Sequence, residues 1–501
     1  MNVYEQLSHP VALTVFLATL FLPIVVGFFA VRATRSQSDF FLGGRAMNRL
    51  VVALSAVSTG RSSWLILGVS GTAYAMGAGA IWAVVGYTVV EFFQFIYVGM
   101  RLRTRTQEFG SITLLDYFES RHNDARQTIR ITGAVIIGIF ITAYVSAQLF
   151  AGAKTLSSAL DIQLNVCLLL SALLILIYMV LGGYIAVAYN DVIRALVMLL
   201  ALVVLPVVGL ARLGGVAGLQ EMLARLNPAY VDPLSLGLGL IIGFVGIGLG
   251  SPGQPHILVR YMSIDDPRNL RVGAVIGTAW NVLLGLGAVL VGLLARAAVP
   301  EIQNLPNQDA EMAYLVLSSR YFGPALYGLL VGGIFAAILS TADSQLLVVA
   351  STFVRDVYEK TLRKGSGIEE WKKLRLSRYV VVLSGALALV LAFLARDLVF
   401  WLVLFAWAGL GASLGPAVIL SLFWKRTTRW GIVAGMLTGT VVTIVWKLFL
   451  REPTGLYELI PAFVCSVLAI LVASLLAPDS APGTGRSTTP APSRAAPTLL
   501  D

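Results

Sequence analysis

The chain has 501 residues, of which 57% are hydrophobic and 12% charged, and its formal net charge at pH 7 is +10. A soluble protein carries about a quarter of its residues as charged side chains, so this composition excludes a soluble enzyme and a disordered protein and predicts an all-α integral membrane protein. In such a protein the basic residues report the orientation of the loops, and we expect the lipid bilayer as a partner and no nucleic acid.

Thirteen apolar stretches reach the length of roughly 18 to 25 residues that a membrane-spanning helix needs. They lie at about 9–31, 50–75, 80–99, 131–156, 164–181, 190–211, 234–258, 272–298, 322–353, 376–395, 398–423, 431–448 and 457–477. We therefore predict 13 transmembrane helices within one membrane domain, residues 1–477. The segment 478–501 is rich in Pro, Ala, Ser and Thr, which predicts a disordered cytoplasmic tail.

Most Lys and Arg residues lie in alternate loops, which the positive-inside rule assigns to the cytoplasm. These loops hold Arg32 to Arg49, Arg101 to Arg130, Arg260 to Arg271, Arg355 to Arg378, and Lys425 to Arg429. We predict a multi-pass protein of the cell membrane with its N-terminus outside and its C-terminus in the cytoplasm.

Two of the predicted spans contain residues that interrupt helices. The second span holds the polar run Ser55 to Ser63, and the seventh holds five glycines and two prolines between Gly243 and Pro255. Unwound backbone at membrane depth is tolerated where it lines a cavity, and paired broken helices indicate the substrate site of a transporter. The alternative is that the small residues serve close helix packing, which explains the prolines poorly.

The two breaks lie five predicted spans apart, which is the offset of two inverted repeats of five helices each. The repeats then cover about 50–211 and 234–423. An extra N-terminal helix at about 9–31 and two C-terminal helices at about 431–477 flank them.

Ionisable and hydroxyl side chains lie inside several spans. Span nine contains Ser340, Thr341, Asp343 and Ser344, whose oxygens suit Na⁺ or a proton relay. Two arginines within spans need acidic partners, because an arginine at the helix centre costs about 2.5 to 3.5 kcal/mol. The arginines are Arg61 and Arg194, and the candidate acids are Glu91, Asp191 and Asp343.

Several short motifs occur in an order that resembles the solute:sodium symporter family, and within it the members that carry proline. The motifs are FFLGGR at Phe40 to Arg45, ALSA to SSW at Ala53 to Trp64, LLDYF at Leu114 to Phe118, GGYIAV to ND at Gly182 to Asp191, GQPHIL at Gly253 to Leu258, AAILST at Ala336 to Thr341, WAGLG at Trp407 to Gly411, and WGIVAGMLTG at Trp430 to Gly439. The resemblance implies 13 helices, a core of two inverted five-helix repeats, and alternating access around a midplane site.

The resemblance also implies a cation site between the first broken helix and span nine. Its positions here are Ser58, Arg61, Ala337, Ser340 and Thr341, with Asp191 and Asp343 nearby. The chain departs from the pattern because Gly60 replaces an aspartate, and Arg194 replaces a glutamine. Three interpretations of Arg61 stay open: a structural ion pair, a guanidinium that replaces Na⁺ while an acid handles a proton, or a fork that binds a substrate carboxylate.

The substrate positions differ from those of the proline-carrying members. A tryptophan and a tyrosine that hold proline there are matched by Ile247 and Ser251, and only Pro255 agrees. We therefore expect proline to be a poor substrate. The other candidate residues for the substrate site are Gly60, Ser62, Trp64, Tyr144 and Trp407.

These observations predict an importer of a small organic solute, an amino acid or a carboxylate, that works by cation-coupled symport. Na⁺ or H⁺ is the expected coupling ion, and no other cofactor is expected. The alternatives are a proton-coupled or uncoupled transporter in which Arg61 replaces Na⁺, or a non-transporting sensor with the same fold.

Overall fold

The computed structural model of the protein describes residues 6–31, 37–179, 183–363, 369–394 and 398–477. These residues form helices and no β-strand, with one isolated β-bridge between Met47 and Ile264. The α-helices are α1 (Pro10–Val31), α2 (Gln37–Leu42), α3 (Arg49–Gly60), α4 (Ser70–Met76), α5 (Ile81–Phe93), α6 (Met100–Glu108), α7 (Leu114–His122), α8 (Thr128–Leu160), α9 (Leu164–Met179), α10 (Tyr184–Arg212), α11 (Gly215–Leu226), α12 (Leu238–Gly246), α13 (Pro255–Ser263), α14 (Leu270–Ala298), α15 (Ala313–Tyr321), α16 (Pro324–Ser351), α17 (Glu370–Leu394), α18 (Val399–Phe423), α19 (Arg429–Val445), α20 (Arg451–Thr454) and α21 (Leu459–Leu476).

Shorter segments with 3₁₀ or π geometry join many of these helices. The π segments are Trp64–Val69, Gln94–Gly99, Thr352–Leu362 and Trp446–Leu450. The 3₁₀ segments are Gly43–Arg45, Gly77–Ala80, Pro228–Tyr230, Ile247–Gly253, Pro267–Asn269, Ile302–Asn304, Pro306–Gln308 and Ala310–Met312.

Within the described residues, nine helical stretches are long and apolar enough to cross a membrane, or ten if the bent pair Leu238–Gly253 and Pro255–Ser263 is one span. Three shorter apolar helices lie at Pro10–Pro23, Arg49–Gly60 and Leu164–Leu176. The expectation of an all-helical, multi-pass membrane protein is confirmed, whereas the number 13 and the inverted repeat stay predictions. The tail at 478–501 lies outside the described residues, as do Arg32 and Arg35.

The centre of the fold is built around α3, which packs against α10, α13, α14 and α16. Helices α16 and α18 bury most of their surface, whereas α17 and α21 expose most of theirs. The exposed surface of these outer helices carries large apolar side chains such as Leu383 and Leu476. An apolar exterior of this kind suits a lipid environment, so the buried polar residues of α3 and α16 mark the interior of the protein.

Glycines allow the second broken helix to approach α5 closely. A Cβ atom on Gly248 would lie 2.3 Å from the carbonyl oxygen of Gly86, and a Cβ on Gly86 would lie 2.2 Å from that of Val245. Neither position accepts a side chain unless the backbones separate. Close helix packing is therefore one reason for the glycines of this span, and it acts together with the break.

Candidate functional site

The first break is shorter than the polar run suggests. Helix α3 continues to Gly60, and the chain resumes a helical path in the π segment that starts at Trp64. Ser55, Ser58 and Thr59 therefore lie on the last turns of α3. We expected the whole run to unwind, and this is wrong, because the hydroxyls find buried partners on neighbouring helices without leaving the helix.

The second break matches the prediction from its glycines and prolines. Helix α12 ends at Gly246, the 3₁₀ segment ends at Gly253, and Gln254 is extended with φ −94° and ψ 100°. Helix α13 then begins at Pro255, where a missing amide hydrogen costs nothing. The two halves meet at an angle of 55°.

A buried ion pair connects the first break to α5. The Arg61 guanidinium, 1% exposed, pairs with the Glu91 carboxylate through Nη2 and Oε2 and lies 3.6 Å from the centroid of the Tyr87 ring. Arg61 Nε donates to Asn281 Oδ1 (2.9 Å), and Asn281 Nδ2 donates to Glu91 Oε2 (2.7 Å). Ser251 of the second break donates to Glu91 Oε1 (3.3 Å). We call these five residues the Arg61 cluster.

A second buried cluster surrounds Asp191 on α10. Its Oδ2 accepts hydrogen bonds from Ser55 (2.7 Å), Thr59 (3.1 Å) and Arg260 (3.1 Å). Arg260 also donates to Ser344 through Nη2 and to the backbone oxygen of His256 through Nη1 (2.7 Å). These side chains are fully buried, so the carboxylate and the guanidinium neutralise each other inside the protein.

Arg194 joins α10 to α16. Its Nη1 lies 2.5 Å from Asp343 Oδ2 and 3.6 Å from Asp191 Oδ1. Both candidate acids of this region therefore contact an arginine of the chain.

The hydroxyls of span nine meet the C-terminal end of α3. Ser340 Oγ lies 3.1 Å from the backbone oxygen of Ser58 and 3.0 Å from that of Ala337. Thr341 Oγ1 donates to the backbone oxygen of Thr59 at 2.9 Å. Four of the five positions of the expected cation site therefore lie together, either through these contacts or as neighbours in α16. We call these four residues the oxygen cluster; they are Ser58, Ala337, Ser340 and Thr341. The fifth, Arg61, directs its guanidinium to Glu91 and Asn281 instead.

The aromatic candidates lie on both sides of the two breaks. Tyr144 of α8 has its hydroxyl 3.4 Å from Ser62 Oγ. Trp64 stacks on Phe400 with 5.8 Å between ring centroids and is fully buried. Trp407 donates from Nε1 to the backbone oxygen of Ile247 at 2.8 Å, so this tryptophan stabilises the 3₁₀ turn of the second break.

Comparison with known proteins identifies the family. The profile of the sodium:solute symporter family matches residues 40–439. The chain belongs to this family.

Named relatives of this sodium:solute symporter are proline transporters of similar length. The chain is 36% identical to the sodium/proline symporter of Escherichia coli (strain K12), covering 95% of each chain. It is 34% identical to the osmoregulated proline transporter OpuE of Bacillus subtilis (strain 168), covering 90% of this chain and 92% of that one.

Two solved structures share the fold. The substrate-bound outward-open state of a Na⁺-coupled sialic acid symporter matches with a TM-score of 0.77 at 19% identity, over 93% of this chain and 98% of that one. A nucleobase-cation-symport-1 family transporter in a closed conformation matches with a TM-score of 0.58 at 12% identity, over 88% of this chain and 96% of that one. Both solved relatives are membrane transporters, in accord with the helical architecture described above.

The oxygen cluster of the symporter fits a hard cation such as Na⁺. Backbone carbonyls and hydroxyls are hard oxygen ligands, and the C-terminal ends of broken half-helices coordinate Na⁺ in transporters of this general design. Here α3 ends at Gly60, so its last carbonyls point toward Ser340 and Thr341.

The prediction that Arg260 lies in a loop is wrong. The residue is fully buried on α13 and binds Asp191. The apolar stretch was drawn to end two residues earlier, because an arginine normally marks the end of a span. The helix continues beyond the GQPHIL motif to Ser263 and so includes the arginine.

Two further groups of polar residues are evident only in the structure. Asn281 completes the Arg61 cluster, but one asparagine in an apolar span gives no signal of its own. A cluster near α7 joins Asp116, Arg130 and Asp356, where Arg130 Nη1 lies 3.0 Å and 2.5 Å from the two carboxylates. A cavity lined by Asp356 and Arg260, among other residues, lies between this cluster and the second break.

Proposed function

We propose that this member of the sodium:solute symporter family imports a small organic solute of the amino-acid or carboxylate class together with Na⁺, by alternating access. The observation that carries the proposal is the oxygen cluster, where hydroxyls of α16 contact the last carbonyls of α3 beside the first break. A cation bound there links two helices that belong to different halves of the predicted repeat.

Four residues of the chain would hold the ion: Ser58 and Ala337 through backbone oxygens, and Ser340 and Thr341 through hydroxyls. When bound, Na⁺ would supply a positive charge between α3 and α16. The movement of Na⁺ down its gradient would supply the energy for import. The side chains supply the geometry that selects a small hard cation.

We assign Arg61 and Arg194 to structural ion pairs. Arg61 is bound by Glu91 and Asn281, and Arg194 lies against Asp343. This arrangement favours the structural interpretation over a guanidinium in the place of Na⁺, because both guanidiniums contact buried carboxylates. It also disfavours a proton relay, since each acid has an arginine partner.

The architecture that we propose has 13 transmembrane helices and two inverted five-helix repeats, at about 50–211 and 234–423. The break after α3 and the 55° bend before α13 lie in corresponding predicted spans and support the repeat. The distribution of basic residues supports an N-terminus outside and a C-terminus in the cytoplasm.

We place the solute between the two breaks, next to Ser62, Tyr144 and Pro255. The named relatives carry proline, as their names state. Ile247 and Ser251 replace the aromatic side chains that hold proline in such relatives, so we propose an amino acid or carboxylate other than proline as the preferred solute.

Uptake into proteoliposomes tests the proposal. The purified protein receives a panel of labelled amino acids and organic acids, with an inward Na⁺ gradient and an inward H⁺ gradient imposed separately. The proposal predicts uptake of at least one solute that requires Na⁺. Uptake driven by H⁺ without Na⁺ would support Arg61 as a built-in cation, and Na⁺ binding without uptake of any solute would support a sensor.

A further inference from the structure

His256 is a fully buried histidine in the first turn of α13, directly after the second break. Among the described residues, neither ring nitrogen has a hydrogen-bond partner. A buried polar group without a partner costs about 1–3 kcal/mol, so native proteins rarely retain one unless it serves a ligand or a water. The cation site and the ion pairs do not use this imidazole.

A chain of contacts connects His256 to the first break and to α8. The imidazole makes an edge contact with the Tyr144 ring at 6.0 Å, and Tyr144 contacts Ser62. Gln148 lies one turn further along α8 and accepts hydrogen bonds from Ser63 N (3.2 Å) and Ser63 Oγ (2.9 Å) through Oε1.

Two hydrogen-bond donors near the first break lack acceptors. Gln148 Nε2 and Trp64 Nε1 are buried, and neither has a partner among the described residues. Three donor-bearing side chains thus belong to residues that contact Ser62, Ser63 or Tyr144, namely Trp64, Gln148 and His256. A group that offers only acceptors complements this set.

The N-terminus of α13 adds a favourable electrostatic field for a negative charge. The positive end of a helix dipole attracts anions. Within the described residues, Gln254 does not cap α13 with its side chain, because its Nε2 donates to Gly250 O (3.1 Å) and Trp407 O (3.0 Å). His256 lies in this first turn, so its ring and the helix end act on the same region.

We propose that His256 and Gln148 bind the carboxylate of the transported solute and so make the transporter specific for free carboxylic acids. The inference rests on the proposed function and deepens it by naming the chemical group that the site recognises. A neutral imidazole has one N–H donor and a protonated one has two, so His256 donates to the carboxylate in either form. Tyr144 and Ser62 lie beside the bound group.

The test compares free acids with their primary amides on the full-length protein in nanodiscs with NaCl present. The probes are L-proline and L-prolinamide, L-leucine and L-leucinamide, and acetate and acetamide. Binding is measured as the shift of the thermal unfolding midpoint with increasing probe concentration. We expect at least one acid to stabilise the wild-type protein, and its amide to require a concentration at least about tenfold higher.

The variant His256→Phe keeps a ring of similar shape and removes both nitrogens. It should weaken binding of the acid by about tenfold or more, remove the preference for the acid over the amide, and leave stabilisation by Na⁺ unchanged. The matched control is His122→Phe, which changes a second buried histidine, on α7, whose pKa burial lowers to about 4. The control should keep the wild-type preference.

Three results would overturn the inference. They are equal binding of acid and amide by the wild-type protein, an unchanged preference in His256→Phe, and stabilisation by Na⁺ but by none of the acids. None of these results contradicts sodium-coupled transport, which fails only if no solute enters proteoliposomes under a Na⁺ gradient. If His256→Phe does not fold, the comparison of acid and amide on the wild-type protein still decides the carboxylate specificity.

Discussion

Charged residues in the interior of this protein lie in sets that neutralise each other. Removing water from two ions is expensive, and their attraction repays the cost only when geometry and further hydrogen bonds are good. Arg61 meets this condition through Glu91, Asn281 and the face of the Tyr87 ring. Because Ser251 also binds Glu91, the pair holds the two breaks in register.

Replacing Arg61 by Met should leave Glu91 buried without its cation and lower the free energy of unfolding by about 3–5 kcal/mol. The double variant Arg61→Met with Glu91→Gln should recover much of this loss, because no uncompensated charge remains. Thermal unfolding of the purified variants in nanodiscs measures both effects. A double variant no more stable than Arg61→Met would contradict the structural role, and so would a gain of sodium stimulation in Arg61→Met.

Two further residues concern the choice of solute. The wild-type protein should take up proline weakly. The double variant Ile247→Trp with Ser251→Tyr should shift the preference towards proline, because a binding pocket depends on a few side chains, here two aromatic ones, for its fit to the solute. Competition by proline against uptake of the preferred solute measures the shift, and the unfolding midpoint controls for overpacking at these buried positions. Uptake of proline by the unmodified protein with micromolar affinity would show that proline is a good substrate and would contradict this prediction.

At the scale of single residues, the sequence is informative where a rare type occurs in an apolar run. Arg61 and Arg194 stand out because charges at that depth are costly, and the structure brings them to Glu91 and Asp343, which were among the possible partners. Asn281 and His256 each stand alone in their segments, so neither suggests a partner. Their importance depends on contacts between segments far apart in sequence.

At the scale of elements, a distant carboxylate caps the start of α18. Glu311 is buried, and its two oxygens accept from the backbone N–H groups of Val399 (3.0 Å) and Phe400 (2.8 Å). Lys154 at the end of α8 lies 2.5 Å from the same carboxylate. Because Phe400 stacks on Trp64, this cap also fixes the position of an aromatic residue beside the first break.

Glu311→Ala should destabilise the protein by about 1–2 kcal/mol, the upper range for loss of a helix cap. It should also reduce the fluorescence response of the tryptophans to solute, since Phe400 is held less firmly against Trp64. The exposed Glu301, in the same connection, provides the control variant Glu301→Ala. Equal unfolding midpoints for the two variants would show that the cap contributes nothing.

The sequence predicts elements better than their ends. Gly243 to Pro255 locates the second break because proline and glycine act on the local backbone. The first break is predicted too long, since hydroxyls in Ser55 to Ser63 signal polarity and not backbone geometry. The cap by Glu311 joins residues almost ninety positions apart and leaves no local pattern.

At the scale of the whole molecule, orientation can be tested with single cysteines in a background without Cys167 and Cys465. Ala125 and Asn304 are exposed and lie in connections that we assign to opposite sides of the membrane. A membrane-impermeant thiol reagent on intact cells should label Asn304→Cys and leave Ala125→Cys unlabelled until the cells are opened. The reverse pattern would invert the topology.

The helical membrane fold follows from composition and hydropathy, because lipid forces every backbone group into internal hydrogen bonds. Counting spans is harder. The structure joins Trp64 to Glu108 into one helical stretch of 45 residues, although the sequence divides it into parts of two spans near Gly77 to Ala80. The repeat symmetry depends on how the spans cross the membrane, which neither hydropathy nor local geometry specifies.

The sodium concentration for half-maximal uptake in proteoliposomes tests whether the oxygen cluster binds Na⁺. The variant Ser340→Ala removes one hydroxyl of the oxygen cluster, and Ser413→Ala removes a buried hydroxyl that binds Thr440 instead. We expect Ser340→Ala to raise the required sodium concentration by about tenfold or more and Ser413→Ala to leave it unchanged. An unchanged sodium requirement in Ser340→Ala, or uptake by the wild-type protein that needs no sodium, would contradict this expectation.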